Sequence, residues 1–276
     1  MTKFKFAIIG NPISHSLSPV LHNYWFKKYN IDAEYSLMEI KESQIADVIK
    51  KLKEKELKGI NVTLPFKRSV IPFLTKTIND AADTHSVNTI FLDDNNELIG
   101  ENTDVFGFQA GYLKTLTNQE KKNKKALVIG AGGVSPSIIL ALIKSEIKEI
   151  YLTNRTYERS LFLKQKFSRL NILKWENFEN IFETVDIVIN ATSLGLKKDD
   201  NFNIKFEKYN KDLVYIDTIY NPPQTNMVKQ FKSKQLTTYN GLNMFIYQGQ
   251  KSFYLWNKIN PEVDDELLKI LESKIN

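Results

Sequence analysis

The sequence predicts an α/β fold built on mostly parallel sheets with helices on both faces. Three observations carry this. Apolar strand-like runs alternate with helical periodicity through the first hundred residues and again from residue 126 onward. The run Ala126-Leu-Val-Ile129 passes straight into Gly130-Ala131-Gly132-Gly133-Val134-Ser135, a glycine-rich turn that opens a helix. Between the two alternating stretches lies Thr117–Lys124, polar and rich in lysine, which reads as a surface linker.

The elements follow in order. Phe4–Ile9 is an apolar strand, and Pro19 near the start of Pro19–Tyr29 marks a helix. Glu34–Ile40 reads as a strand, Glu42–Glu56 as an amphipathic helix, and Gly59–Leu64 as a strand followed by a helix over Phe66–Leu74. Ser86–Leu92 and Glu97–Gly100 flank Asp93-Asp-Asn-Asn96, a hairpin turn, and a helix spans Val105–Leu116. Beyond the linker, Pro136 sits in the first turn of a helix continued by Ile138–Ile143, and Glu149–Thr153 is a strand. Asp186–Ala191, Leu213–Asp217 and Leu236–Tyr239 are later strands; Met244–Lys258 and Asp264–Ile275 are closing helices with apolar stripes.

Composition narrows the function. A chain of 276 residues holds one large domain or two ordinary ones. The absence of cysteine excludes disulfides, thiolate metal sites and thiol catalysis, and His15, His22 and His85 show no metal-ligand spacing. The net charge of +6 comes from scattered lysines, with acids interleaved across Lys50–Lys58, so no nucleic-acid partner is expected and a general attraction for anions is the more modest reading. No apolar run approaches the roughly 20 residues of a membrane span, and no signal peptide is evident, so the cytoplasm is the default expectation.

The glycine turn is either a structural βα connection or a dinucleotide site, where backbone N–H groups at a helix start approach a pyrophosphate. The apolar strand before it and the helix after it favour the second. Ser135 replaces the third fingerprint glycine with a residue small enough to pack close to the sheet. An NAD site would place an Asp or Glu at the end of the next strand; here stand Asn154, Arg155, Thr156 and Arg159, whose guanidinium forks suit a 2′-phosphate. The ligand expected is therefore NADP(H).

Four polar clusters lie beyond strand ends or in loops of the first hundred residues, the edge where open α/β sheets bind ligands. In Gly10-Asn-Pro-Ile-Ser-His-Ser16-Leu-Ser18-Pro19, two hydroxyls could hold a carboxylate, or Ser18 could merely cap a helix. In Asn61-Val-Thr63-Leu-Pro-Phe-Lys67, the lysine begins a predicted helix against its dipole, and is either functional or one more exposed lysine. In Ser86-Val-Asn88-Thr89, Asn88 either meets a substrate hydroxyl or holds a turn. In Gly100-Glu-Asn102-Thr103-Asp104, Asp104 is an N-cap or the carboxylate partner of a catalytic group.

Together with Gly130-Ala-Gly-Gly133, Asn154-Arg-Thr156, Asn190-Ala-Thr-Ser193, Asn240-Gly-Leu-Asn-Met244 and Gln248, these clusters resemble the shikimate dehydrogenase family in the family's order over nearly the whole chain. The resemblance implies NADPH-dependent, reversible reduction of 3-dehydroshikimate to shikimate in aromatic amino-acid biosynthesis. It implies a substrate domain of residues 1–104 plus 245–276 and a Rossmann-type NADP-binding domain of residues 105–244, joined by helices across a cleft. Ser16 and Ser18 would bind the substrate carboxylate; Thr63, Asn88, Tyr220 and Gln248 would contact the ring substituents; Lys67 and Asp104 would be the catalytic pair. Gly130, Ala131, Gly132, Gly133, Val134, Asn154, Arg155, Thr156, Arg159, Thr218 and Gly241 would line the coenzyme. Lys67 would then donate the proton in reduction while Asp104 holds its ammonium, and its action as a base in oxidation should improve at alkaline pH. The chain departs from the family pattern at Asn243, where glycine is usual, at Thr218, where a bulkier apolar residue is common, and at Ser135-Pro136.

Two alternatives share the scaffold. A quinate/shikimate dehydrogenase would keep the motifs, but Arg155 and Arg159 count against its NAD-using kind. A non-catalytic nucleotide sensor would be free to lose the lysine–aspartate pair, and both residues are present. The expected partner is a small-molecule substrate, with the chain a monomer or homodimer, no metal and no membrane.

Overall fold

The computed structural model describes residues 3–197, 200 and 204–275. The chain divides into two compact units, one of Met1–Gly107 with Ile246–Lys274, the other of Phe108–Phe245 with Ile275–Asn276.

The first unit is built on a six-stranded sheet of β1 (Phe4–Gly10), β2 (Ala33–Glu39), β3 (Gly59–Val62), β4 (Lys76–Thr77), β5 (Thr89–Leu92) and β6 (Leu98–Glu101), in the order β2-β1-β3-β5-β6-β4. The pairings of β1 with β2 and β3 are parallel, as is that of β4 with β6, while β5 runs antiparallel to both of its neighbours. The mixture has a simple cause: the short Asp93–Asn96 connection can join only antiparallel strands. Asp93 Oδ1 accepts the N–H groups of Asn95 and Glu97, and Asn96 takes the left-handed φ of 60° that closes the turn. The amphipathic segment expected over Glu42–Glu56 begins as a 3-10 turn, becomes α-helix over Ile45–Lys53, and buries Ile45, Val48, Ile49 and Leu52 against the sheet.

The second unit carries β7 (Lys125–Ile129), β8 (Glu149–Thr153), β9 (Leu170–Leu173), β10 (Ile187–Asn190), β11 (Val214–Asp217) and β12 (Thr237–Tyr239) in the order β12-β11-β10-β7-β8-β9, all parallel. This is the doubly wound dinucleotide-binding order, whose ligand crevice opens between the first and fourth strands, here β7 and β10. β7 is fully buried beyond its first residue, as a central parallel strand requires.

Several elements differ from the sequence reading. No helix forms over Phe66–Leu74; a series of turns leads into a 3-10 turn at Ile71–Phe73, because Pro65 and Pro72 each withdraw a backbone donor and disfavour helix in the residue before. The helix expected over Val105–Leu116 is α only at Asp104–Phe108 and becomes a π turn over Gln109–Leu113. The expected linker holds a helix at Asn118–Asn123, closed by a capping box in which Thr117 Oγ1 accepts from Glu120 N and the Glu120 carboxylate accepts from Thr117 N. Among the described residues no helix is long and apolar enough to cross a membrane, and no group of three or more His, Asp or Glu side chains could hold a metal.

Candidate active site

In the first unit the four clusters leave one edge of the sheet. β1, β3 and β6 run parallel, so the segments after Gly10, Val62 and Glu101 emerge together; β5 is antiparallel, so Asn88, just before it, joins them. Asn11 N–H donates to Leu64 O, and Val62 N–H to Asn88 O, which fastens the segments to one another.

Here Lys67 and Asp104 meet. Lys67 Nζ lies 2.5 Å from Asp104 Oδ2, with side chains 15% and 8% exposed. Asn88 Nδ2 donates to Asp104 Oδ1 at 2.9 Å. The amide orientation is set by an unambiguous donor, since Thr103 N–H gives its hydrogen to Asn88 Oδ1 at 2.8 Å and the NH2 must then face the carboxylate. Both oxygens of Asp104 thus face donors, and neither serves as a helix cap; the N-cap alternative fails. Lys67, set in a turn rather than a helix, opposes no macrodipole, so that argument for its function lapses while the pairing stands.

The pair is embedded in a buried polar network. Asn61 Oδ1 accepts from Tyr35 OH at 2.7 Å, and Asn61 Nδ2 reaches Asn88 O, Thr89 Oγ1 and Ser252 Oγ at 3.0–3.1 Å. Thr89 Oγ1 and Ser252 Oγ are 2.8 Å apart, Thr103 Oγ1 bonds to Asn88 Oδ1, and it lies 3.5 Å from Gln248 Oε1. Sequence reading assigned no role to Asn61, Thr89, Thr103 or Ser252. The signal was present for Asn61, a polar residue inside the buried strand Gly59–Val62, which must find hydrogen bonds to be tolerated there. One buried group stands apart. His22 is fully buried, stacked on Tyr35 at 4.4 Å, and neither ring nitrogen has a partner, the nearby Asn61 amide being committed elsewhere. Burial pushes its pKa down to about 3.

Ser16 and Ser18 stand side by side, their hydroxyls 3.1 Å apart, and Ser16 Oγ also accepts the Ser18 N–H. Ser18 is the first residue of the helix Ser18–Lys28 and makes no capping bond, so ordinary capping does not explain it. Thr63 is half-buried beside Gly10 at the same sheet edge.

In the second unit Gly130 follows β7 with φ +110°, and a side chain there would strike Thr192 and the Ala191 backbone after β10. At Gly132, by contrast, a Cβ would meet nothing nearer than Ala191 O at 3.8 Å, so it is open space that the glycine leaves. Ala131 N–H donates to Asn154 Oδ1, and Gly132 N–H to Ser135 Oγ, while Asn154 Nδ2 donates to Thr156 O. Asn154 therefore ties the loop after β8 to the glycine turn, and Ser135 braces the turn from its fully buried position. Gly133 and Val134 N–H have no acceptor among the described residues, and neither do the exposed Arg155 and Arg159 guanidiniums. Two free amides at the start of the helix Ser135–Lys144, an open space over Gly132 and two unpaired arginines fit a pyrophosphate and a further phosphate.

Thr218 follows β11, its hydroxyl bonded to Asn190 O, and Gly241 passes so close that a Cβ would lie 2.2 Å from Thr218 O. Beneath them is a residue the sequence did not single out. The buried Asp217 carboxylate accepts from Asn190 Nδ2, Tyr215 OH, Thr225 Oγ1 and Ile219 N, joining the segments after β10 and β11; burial raises its pKa against the pull of those donors. Tyr220 belongs to this unit, its ring 4.9 Å from Phe245. Of the expected substrate residues, Ser16, Ser18, Thr63, Lys67, Asn88, Asp104 and Gln248 thus lie in the first unit and Tyr220 in the second with all of the expected coenzyme residues.

Residues 8–90 match the shikimate dehydrogenase substrate binding domain, and residues 113–243 match the shikimate / quinate 5-dehydrogenase family. The shikimate dehydrogenase (NADP(+)) of Pelagibacter ubique strain HTCC1062 is 48% identical over 272 residues, 98% of this chain and 99% of that one. The shikimate 5-dehydrogenase of Thermus thermophilus, solved in complex with NADP(H) and shikimate, superposes with a TM-score of 0.87 at 26% identity, covering 99% of this chain and 100% of that chain. The ligand-free 5-ketofructose reductase of Gluconobacter sp. strain CHM43 superposes nearly as well, with a TM-score of 0.86 at 27% identity over 99% of both chains, so the fold alone does not name a substrate. Family models over both halves and a 48% identical relative over almost the full length decide the assignment: the chain belongs to the shikimate dehydrogenase family.

Proposed function

We infer that the protein catalyses the NADPH-dependent, reversible reduction of 3-dehydroshikimate to shikimate, with the first unit holding the substrate and the second the coenzyme. The observation that carries the chemistry is the buried Lys67–Asp104 pair, held by an Asn88 amide whose orientation leaves no alternative. Family membership supports the substrate and the coenzyme.

The bound coenzyme supplies the hydride that converts the substrate carbonyl carbon to the alcohol carbon, or takes it back in oxidation. The chain supplies the rest. An ammonium has three N–H donors. One on Lys67 is engaged by Asp104, which leaves others to hydrogen-bond the carbonyl oxygen and pass it a proton as negative charge develops. In oxidation the same nitrogen receives the proton released by the hydroxyl. Asp104 fixes the lysine head; Asn88 and Thr103 fix Asp104. Ser16 and Ser18 present paired hydroxyls to the substrate carboxylate, and Thr63, Gln248 and Tyr220 contact ring hydroxyls. Gly133 and Val134 amides receive the pyrophosphate, with Gly130, Ala131 and Asn154 shaping their turn. Arg155, Thr156 and Arg159 receive the 2′-phosphate, and Thr218 and Gly241 line the remainder.

The test is direct. Purified protein is offered shikimate or quinate with NADP or NAD, and reduced coenzyme is followed by absorbance. Turnover should be greatest with shikimate and NADP. Comparable turnover of quinate would widen the substrate class, and no turnover in any combination would return the chain to the sensor reading.

A further inference from the structure

The segments by which the chain enters and leaves the second unit are tied to each other by the Tyr112 hydroxyl and, at 3.5 Å, by the Asn243 amide, which donates to Gly111 O. Gln109–Leu113 forms the π turn, and Asn240 to Phe245 contains the turn of Gly241 and the start of the helix Leu242–Asn257. Met244 lies in the first turn of that helix, where a backbone N–H finds no partner inside the helix. The Tyr112 hydroxyl meets it, accepting from Met244 N–H at 3.4 Å and donating at 2.6 Å to Asn240 O in the turn just before the helix. One hydroxyl thus caps the helix start and fastens the Gly241 turn to it.

The surroundings are matched to this bridge. Phe108 and Tyr239 flank the Tyr112 ring at 5.2 and 6.0 Å, and burial holds its phenol well above the usual range, so the hydroxyl keeps the proton it donates. Gly111 lets Asn243 approach: a Cβ at position 111 would sit 3.2 Å from both the Asn243 Cβ and the Met244 nitrogen. On the opposite side, Gly241 N–H donates to Ile219 O, and the glycine lies against Thr218 O. The turn is thus held from two directions, by the backbone after β11 and by the Tyr112 hydroxyl.

We propose that Tyr112 is a positioning residue for coenzyme binding, its hydroxyl bridging Asn240 O and Met244 N–H on either side of Gly241 so that the Gly241 turn keeps its coenzyme-receiving shape. The proposal rests on the reading that this turn lines the coenzyme. Tyr112→Phe retains the ring and removes only the hydroxyl, leaving Met244 N–H and Asn240 O without their bridge. NADP binding is measured by calorimetry without substrate, shikimate binding is measured separately, and thermal unfolding is followed for each protein. Tyr112→Phe should raise the NADP dissociation constant about fivefold, roughly what one hydrogen bond is worth, with shikimate affinity unchanged. Unchanged NADP affinity overturns the proposal, whether or not the melting temperature falls. Gly241→Ala, whose methyl would collide with Thr218 O, tests the underlying reading. If it weakens NADP binding while Tyr112→Phe does not, the reading stands and the role of the Tyr112 bridge fails. If it leaves NADP binding intact, the turn does not line the coenzyme and both fail.

Discussion

The two expected halves of the active site are prepared in opposite ways. Around Lys67 the polar groups are already spent on one another: Asp104 faces two donors, Asn88 is engaged at both ends of its amide, and Asn61, Thr89, Thr103 and Ser252 close the network behind them. Around Gly132 the reverse holds. Among the described residues two backbone amides lack acceptors and two guanidiniums lack partners, and the glycine faces open space. On the proposed reading, proton transfer demands a fixed donor, and the Lys67 cluster is already pinned. Binding a polyanion demands unsatisfied donors, because a donor already bonded to protein has less to offer the phosphate.

The contrast can be broken by substitution. The largest effect is expected at Lys67: Lys67→Ala should lower kcat by about 10²-fold or more, the scale of a lost acid–base group, with a smaller change in the KM for shikimate. Steady-state kinetics decide it, and near-normal turnover would remove the lysine from the chemistry.

A second test sharpens the contrast within the first unit, at the buried His22 ring, whose nitrogens are not hydrogen-bonded. With its folded pKa near 3 against an ordinary 6.5, His22 binds its proton more readily in the unfolded chain. Its contribution to stability is therefore complete above about pH 6.5 and is lost progressively as the pH falls toward 3, by about 2 kcal/mol between pH 7 and pH 5. His22→Phe keeps a ring in the stack against Tyr35 and should remove that portion of the acid sensitivity. Urea unfolding of both proteins at the two pH values measures it; equal pH dependence would show that His22 is not the titrating group.

The smallest effect is expected in the open half, where each donor is one of several. Arg155→Ala should lower the ratio of kcat/KM for NADP over NAD by roughly tenfold, the worth of one charge-assisted contact at an exposed site. An unchanged ratio would mean that Arg155 does not receive the 2′-phosphate.

Legibility in the sequence follows the same division. The second unit reads well because its signals are local: Ala126–Ile129, the glycine turn and Pro136 declare strand, turn and helix within a dozen residues. The clusters of the first unit were visible as motifs, but each alone had a bland explanation, and only the sheet edge brings Lys67 to Asp104 across 37 residues of chain. Residues that act through tertiary contact stayed silent. Ser252 is an ordinary helical serine until it meets Asn61 and Thr89, and Tyr112 is one more aromatic in a helical pattern until its hydroxyl meets the start of another helix. The helix at Asn118–Asn123 was legible and overlooked, since Thr117 and Glu120 have capping-box spacing. The helix expected after Pro65 failed for a local reason also in plain view, the second proline at position 72.

If the two halves divide chemistry from coenzyme binding, damage to one must spare the other. NADP titrated into Lys67→Ala, followed by calorimetry alongside its turnover assay, examines this most directly. The division predicts a dissociation constant within about twofold of the unaltered protein's, a difference under about 0.5 kcal/mol, alongside turnover reduced by about 10²-fold or more. Coenzyme affinity falling in step with turnover would contradict it, because Lys67 would then be serving the binding of NADP rather than the transfer of the proton.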